Sequence, residues 1–79
     1  MEDRIFRIVA RTFKVAPSSV SLDSSVDTIE SWDSLQHVHL VLALEEEFGL
    51  QFDVDEIVGM QSVAGVVAIV RDHLANRRD

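Results

Sequence analysis

Seventy-nine residues hold one domain near the lower size at which a single hydrophobic core can keep a chain folded unaided, which leaves no room for a catalytic domain and a lid. The chain has no cysteine, so disulfides and thiolate metal sites are excluded, and any thiol chemistry has to arrive with a cofactor. Its net charge of -7 is unevenly spread. Arg4, Arg7, Arg11 and Lys14 stand at one end and Arg71, Arg77 and Arg78 at the other, while the interval from Val15 to Val70 contains acidic residues and no lysine or arginine. Such a field repels phosphate backbones and attracts basic protein surfaces, so nucleic acid is excluded as a partner. Acidity that only keeps a small domain in solution is the plainer explanation for most acidic chains, but the complete absence of lysine and arginine from the middle of this one favours a basic partner surface.

Ile5, Ile8, Val9, Thr12 and Phe13 repeat with the spacing of one helix face, which predicts a first helix from about residue 2 to 14. Pro17 disfavours helix at Ala16, and the serine-rich stretch that follows reads as a long connection. Val20, Leu22, Val26 and Ile29 recur through it, so an ordered loop with some aliphatics pinned into the core is expected.

Asp33 with Gln36 three residues on has the form of a capping box, which starts the second helix at Ser34; Gly49 is placed to end it in the left-handed conformation. By the same logic Asp53 and Glu56 open a short third helix that Gly59 closes, and Ser62 caps a fourth in which Val63, Val66, Val67, Val70 and Leu74 share a face. The β-branched run from Val66 to Val70 would also suit a strand, but no partner strand is in view. The expected fold is all-α, a four-helix bundle with a long first loop and a short third helix, over residues 1–79 as one domain. The N-terminus lacks a secretory pattern and no apolar run could cross a bilayer, which together with the missing cysteines places the expected protein in the cytoplasm.

The second helix carries two apolar stripes. Leu40, Val41, Leu44 and Phe48, with His37 alongside, suffice for the core, and Leu35, Val38 and Leu42 lie on another side. Either the helix is buried around nearly its whole circumference or the second stripe is exposed as a docking face, edged by Glu45 and Glu46. Ser34 then admits three roles. It is an ordinary helix-start residue, a nucleophile paired with His37 and Asp33, or an attachment point for a prosthetic group. Catalysis fails because Asp33 is engaged as a cap and the helix offers no oxyanion donors; no catalytic or metal-binding residue is assigned, since His37 and His39 at i, i+2 point apart.

Asp33-Ser34-Leu35, the helix continuing as Leu-Val-Leu-Ala-Leu-Glu-Glu-Glu-Phe at 40 to 48, and the spacing to Ser62-Val63 resemble the acyl carrier proteins along essentially the whole chain. The resemblance implies a non-enzymatic carrier of acyl or aminoacyl thioesters in fatty acid, polyketide or nonribosomal peptide biosynthesis. Ser34 would bear 4'-phosphopantetheine taken from coenzyme A, with Asp33 and Leu35 beside it. It also implies partners: a phosphopantetheinyl transferase recognising Asp33, and loading and acyl-transfer enzymes whose basic patches meet Glu45 and Glu46 and whose apolar surfaces meet Leu35, Val38 and Leu42. A monomer is expected. Ser31, where many carriers have glycine, and Trp32 before Asp33 resemble free-standing specialised carriers, and Gln36 and His39 stand where fatty-acid carriers often place acidic residues. The rival reading is a helical protein-interaction module that uses the same stripe without a prosthetic group.

Overall fold

A computed structural model describes residues 1–76. Four helices form: α1 (Glu2–Phe13), α2 (Ser34–Phe48), α3 (Val54–Val58) and α4 (Val63–Ala75), with one 3-10 turn, Pro17–Ser19, in the first connection. The fold is an all-α bundle, and the described residues contain no strand, only an isolated antiparallel bridge between Ser25 and Ser62. The valine-rich run therefore resolves as helix. Val63, Val66, Val67 and Val70 bury one side of α4, and tertiary burial outweighs the modest β preference of the branched side chains.

The helix ends follow local chemistry. Asp53 and Glu56 form a reciprocal capping box at 2.8 and 2.9 Å, and Ser62 accepts from the Gly65 amide at 3.0 Å. Gly49 ends α2 at φ 64° with its amide bonded to Glu45 O, a geometry glycine adopts without the Cβ penalty. Lys14 does the same for α1 at φ 58°, so the helix stops at Phe13 and the chain turns at once. The box expected at the start of α2 is half formed. Asp33 Oδ1 accepts from Gln36 N at 2.8 Å, but the Gln36 side chain turns along the helix to the His39 ring at 3.2 Å.

Ile5, Ile8, Val9, Ala10 and Phe13 of α1 pack against Leu40, Val41, Leu44 and Phe48 of α2 and the buried face of α4. Each fully buried aliphatic contributes about 1.5–3 kcal/mol relative to exposure. Thr12 and Leu74, expected on these faces, are half-buried at their edges. Across the ends of α1 and α2, Arg4 bonds Glu47 Oε2 from Nε at 2.9 Å and lies 4.7 Å from the Phe48 ring centroid. The connections supply the rest of the core. Val20 and Ile29 are buried as expected of an ordered loop, Leu22 is 44% exposed, and Trp32, Phe52 and Met60 are buried although no periodicity marks them.

The first loop is stitched to the start of α4. Val26 N donates to Gln61 O at 3.1 Å, and Val63 N donates to Ser24 O at 2.9 Å. Ser24, buried within the loop, accepts from Ser21 N at 3.0 Å, so its hydroxyl is satisfied.

Candidate functional site

The approach to α2 is built on Trp32. Its indole is buried and stacked on Phe13 with centroids 4.7 Å apart, and Nε1 donates to His37 Nδ1 at 2.9 Å. Because Nδ1 accepts, the ring proton sits on Nε2, which donates to Ile57 O at 2.9 Å. One chain of hydrogen bonds thus joins the first loop, α2 and α3. Ser31 adds a tie to α1 by donating from its hydroxyl to Phe13 O at 2.8 Å, a bond that a glycine could not make.

Asp33 follows in extended conformation with φ -105° and ψ -177°, caps α2, and delivers Ser34 at the first helical position. Ser34 is exposed, and its hydroxyl makes no hydrogen bond to any described residue. A reachable hydroxyl therefore stands on an immobilised base. The catalytic alternative fails in detail: both nitrogens of His37 are engaged, by Trp32 and by Ile57, and neither faces Ser34 as a free base. His39 is exposed and bonded to Gln36, apart from His37.

The two stripes of α2 separate as the spacing predicts. Leu40, Val41, Leu44 and Phe48 are buried, whereas Leu35, Val38 and Leu42 are 63%, 51% and 57% exposed. Val54 and Val58, at i and i+4 on α3, are also exposed; that spacing was the signal for them, and the sequence reading passed over it. The acidic end of α2 divides into different environments. Glu45 is half-buried and accepts from Phe52 N at 2.9 Å, Glu47 pairs with Arg4, and Glu46 is exposed with no bonded partner among the described residues.

Beside Ser34 lies a cleft of about 300 Å³ lined by Val26, Trp32, Asp33, Ser34, His37 and Gln61. Sequence reasoning did not find it, since Val26 and Gln61 reach it only through the stitching of the first loop to the α3–α4 connection.

Residues 3–70 match the family model described as a phosphopantetheine attachment site. The chain is 35% identical over 71 residues to mitochondrial acyl carrier protein 2 of Arabidopsis thaliana, covering 90% of this chain and 56% of that one, so it spans little more than half of that relative's length. It is 34% identical over 70 residues to the acyl carrier protein of Campylobacter hominis, covering 89% of both. The solution structure of a holo acyl carrier protein from Geobacter metallireducens superposes with a TM-score of 0.84 at 25% identity, covering 96% of this chain and 87% of that one. With the attachment model matched along most of its length and the same fold as a carrier solved in its holo form, the chain belongs to the acyl carrier protein family, whose prosthetic group is covalently attached 4'-phosphopantetheine.

Proposed function

We propose that residues 1–79 act as one carrier domain whose Ser34 bears 4'-phosphopantetheine, and that it presents acyl or aminoacyl cargo to partner enzymes without catalysing a reaction itself. The observation that carries this reading is the exposed, unbonded Ser34 hydroxyl at the first position of α2, two residues after Trp32, which is anchored in the core. The residues suit the group. A phosphodiester on Ser34 would sit at the positive end of the α2 dipole, a favourable interaction of about 0.3–1 kcal/mol, and the arm would bring the thiol that a cysteine-free chain lacks. When bound, that thiol holds cargo as a thioester.

Attachment consists of an Oγ–P bond formed at Ser34 as the pyrophosphate P–O bond of coenzyme A breaks, with adenosine 3',5'-bisphosphate leaving and the hydroxyl proton passing to the transferase. Asp33 and Leu35 flank the acceptor and are offered to that transferase. Leu35, Val38 and Leu42 give later partners an apolar surface, and Glu46, with the outer edge of Glu45, meets their basic patches. Contacts of this kind are weak and salt-sensitive, which suits a carrier that visits several enzymes in turn. No helix of the described residues is long and apolar enough to cross a membrane. A monomer working in the cytoplasm is the form proposed, in keeping with the absence of cysteine.

The test is the intact mass after incubation with coenzyme A, magnesium and a broad-specificity phosphopantetheinyl transferase, with Ser34→Ala as control. One added phosphopantetheine in the parent and none in the variant is the expected result. No gain on a folded sample with several transferases would leave the interaction module as the better account.

A further inference from the structure

We propose that His37 and His73 form a proton-operated clamp on α3. One bond requires a neutral ring and the other is strengthened by a charged one, so α3 and its exposed pair Val54 and Val58 are held fastest where His37 is neutral and His73 is charged. Such ties matter to α3 because it is five residues long and has no fully buried side chain, so burial alone holds it weakly. Among the described residues, two side-chain bonds reach it from other helices, and both come from histidines. They start on α2 and α4 and end on adjacent residues: His37 Nε2 donates to Ile57 O at 2.9 Å, and His73 Nε2 meets Glu56 Oε2 at 2.7 Å.

The two rings stand in opposite surroundings. At His37, Nδ1 accepts from the buried Trp32 indole while Nε2 donates to Ile57 O, which uses both nitrogens of the neutral ring. A second ring proton would set N–H against N–H, so a charged ring leaves this seat and the bond to Ile57 goes with it. Of the residues that line the cleft with His37, Val26, Trp32, Ser34 and Gln61 carry no charge, and Asp33 is the one carboxylate. It stands one helical turn before the histidine with Oδ1 held by Gln36 N, and it gives the displaced imidazolium a partner on the cleft side.

At His73 a carboxylate is already in place. The capping box presets Glu56, whose Oε1 accepts from Asp53 N at 2.9 Å while Oε2 faces the ring. Phe52, from the connection before α3, packs against the imidazole edge to face at 5.1 Å and brings no charge. On α4 itself Arg71 is drawn to Glu2 and Asp72 is bonded by Asn76, which leaves Glu56 as the charged group on the ring. A ring proton adds Coulomb attraction to this bond, reduced by solvent because both side chains are about a quarter exposed. The neutral ring can still donate from Nε2, so loss of the proton weakens the tie without breaking it. Acid therefore opens the clamp at His37, and base slackens it at His73.

The experiment follows the unmodified protein by NMR from about pH 5 to 8, the range in which histidine changes charge. It reads the exchange protection of the Ile57 and Gly59 amides, which bond to Asp53 O and Asp55 O, corrected for the intrinsic pH dependence of exchange. Expected is a maximum inside the range. Protection falls about tenfold on the acid side, with the Trp32 indole proton shifting in step, and about threefold on the alkaline side, while the amides of α1 and α4 keep theirs. His37→Gln, which offers an oxygen to Trp32 and an amide donor to Ile57 but has no proton to gain, should lose the acid fall alone; His73→Gln should lose the alkaline fall alone. Protection of α3 that is flat across the range overturns the clamp, as does a fall shared by α1 and α4, an acid fall without movement of the indole proton, or either fall surviving in the variant meant to remove it. The series on the parent decides the matter by itself where a variant does not fold, and every outcome leaves the attachment at Ser34 standing.

Discussion

Trp32 donates from its indole nitrogen to His37 Nδ1 at 2.9 Å, so the residue that anchors the first loop in the core is bonded to the helix that carries the candidate attachment serine. The bond also fixes the histidine tautomer, and through Nε2 it reaches α3, which has no fully buried residue of its own. Much of the hold on α3 is therefore polar.

His37→Leu leaves the buried Trp32 donor unsatisfied and removes the tie to Ile57, and a loss of about 1–3 kcal/mol is expected in urea unfolding. Trp32→Phe keeps the ring stacked on Phe13 but takes away the donor. In a double-mutant cycle the two changes should be coupled by about 0.5 kcal/mol or more, and additive losses would show that the bond contributes nothing of its own.

Asp33 combines a cap with a charge, and two substitutions separate them. Asp33→Ala should cost about 0.5–2 kcal/mol through the lost bond to Gln36 N, whereas Asp33→Asn retains a capping oxygen and most of the stability. If the carboxylate is also read by the transferase, Asp33→Asn slows attachment at unchanged stability. Equal rates for Asp33→Asn and the parent would confine Asp33 to the cap.

The exposed stripe should be thermodynamically quiet and functionally sensitive. Val38→Ser and Leu42→Ser at exposed positions are expected to shift stability by no more than about 0.5 kcal/mol. Transferase kcat/KM should fall about tenfold for whichever side chain fills a partner pocket, a loss of about 1.4 kcal/mol. Unchanged kcat/KM for both, and for Leu35→Ser, would remove the stripe from transferase docking.

Gly65→Ala addresses the seat of α3 on α4. A Cβ there would come 2.9 Å from Gly59 O, a backbone atom that cannot rotate aside, so the α3–α4 connection must shift and about 1–3 kcal/mol should be lost. Thermal unfolding measures this directly. Since Gly65 lies outside the site, folded Gly65→Ala should still accept phosphopantetheine.

The local chemistry written into the chain determined the helices and the exposed serine. Asp33, Asp53 and Ser62 start helices because a short acceptor side chain satisfies an orphan amide within three residues, and Gly49 ends one because its backbone turns left-handed without penalty. That Leu40, Val41, Leu44 and Phe48 lie on one side of α2 and Leu35, Val38 and Leu42 on another follows from 3.6-residue spacing, whereas the exposure of the second group was decided by packing that leaves that side uncovered. What the tertiary structure decided involves residues distant in sequence. The burial of Trp32, Phe52 and Met60, the ring of His37 held between Trp32 and Ile57, the bond from Glu45 to Phe52 N and the cleft joining Val26 to Gln61 all lie in or across connections that have no period. Caps and helix faces obey nearest-neighbour geometry and can be read along the chain, whereas these contacts exist only once the loops have closed over the packed helices.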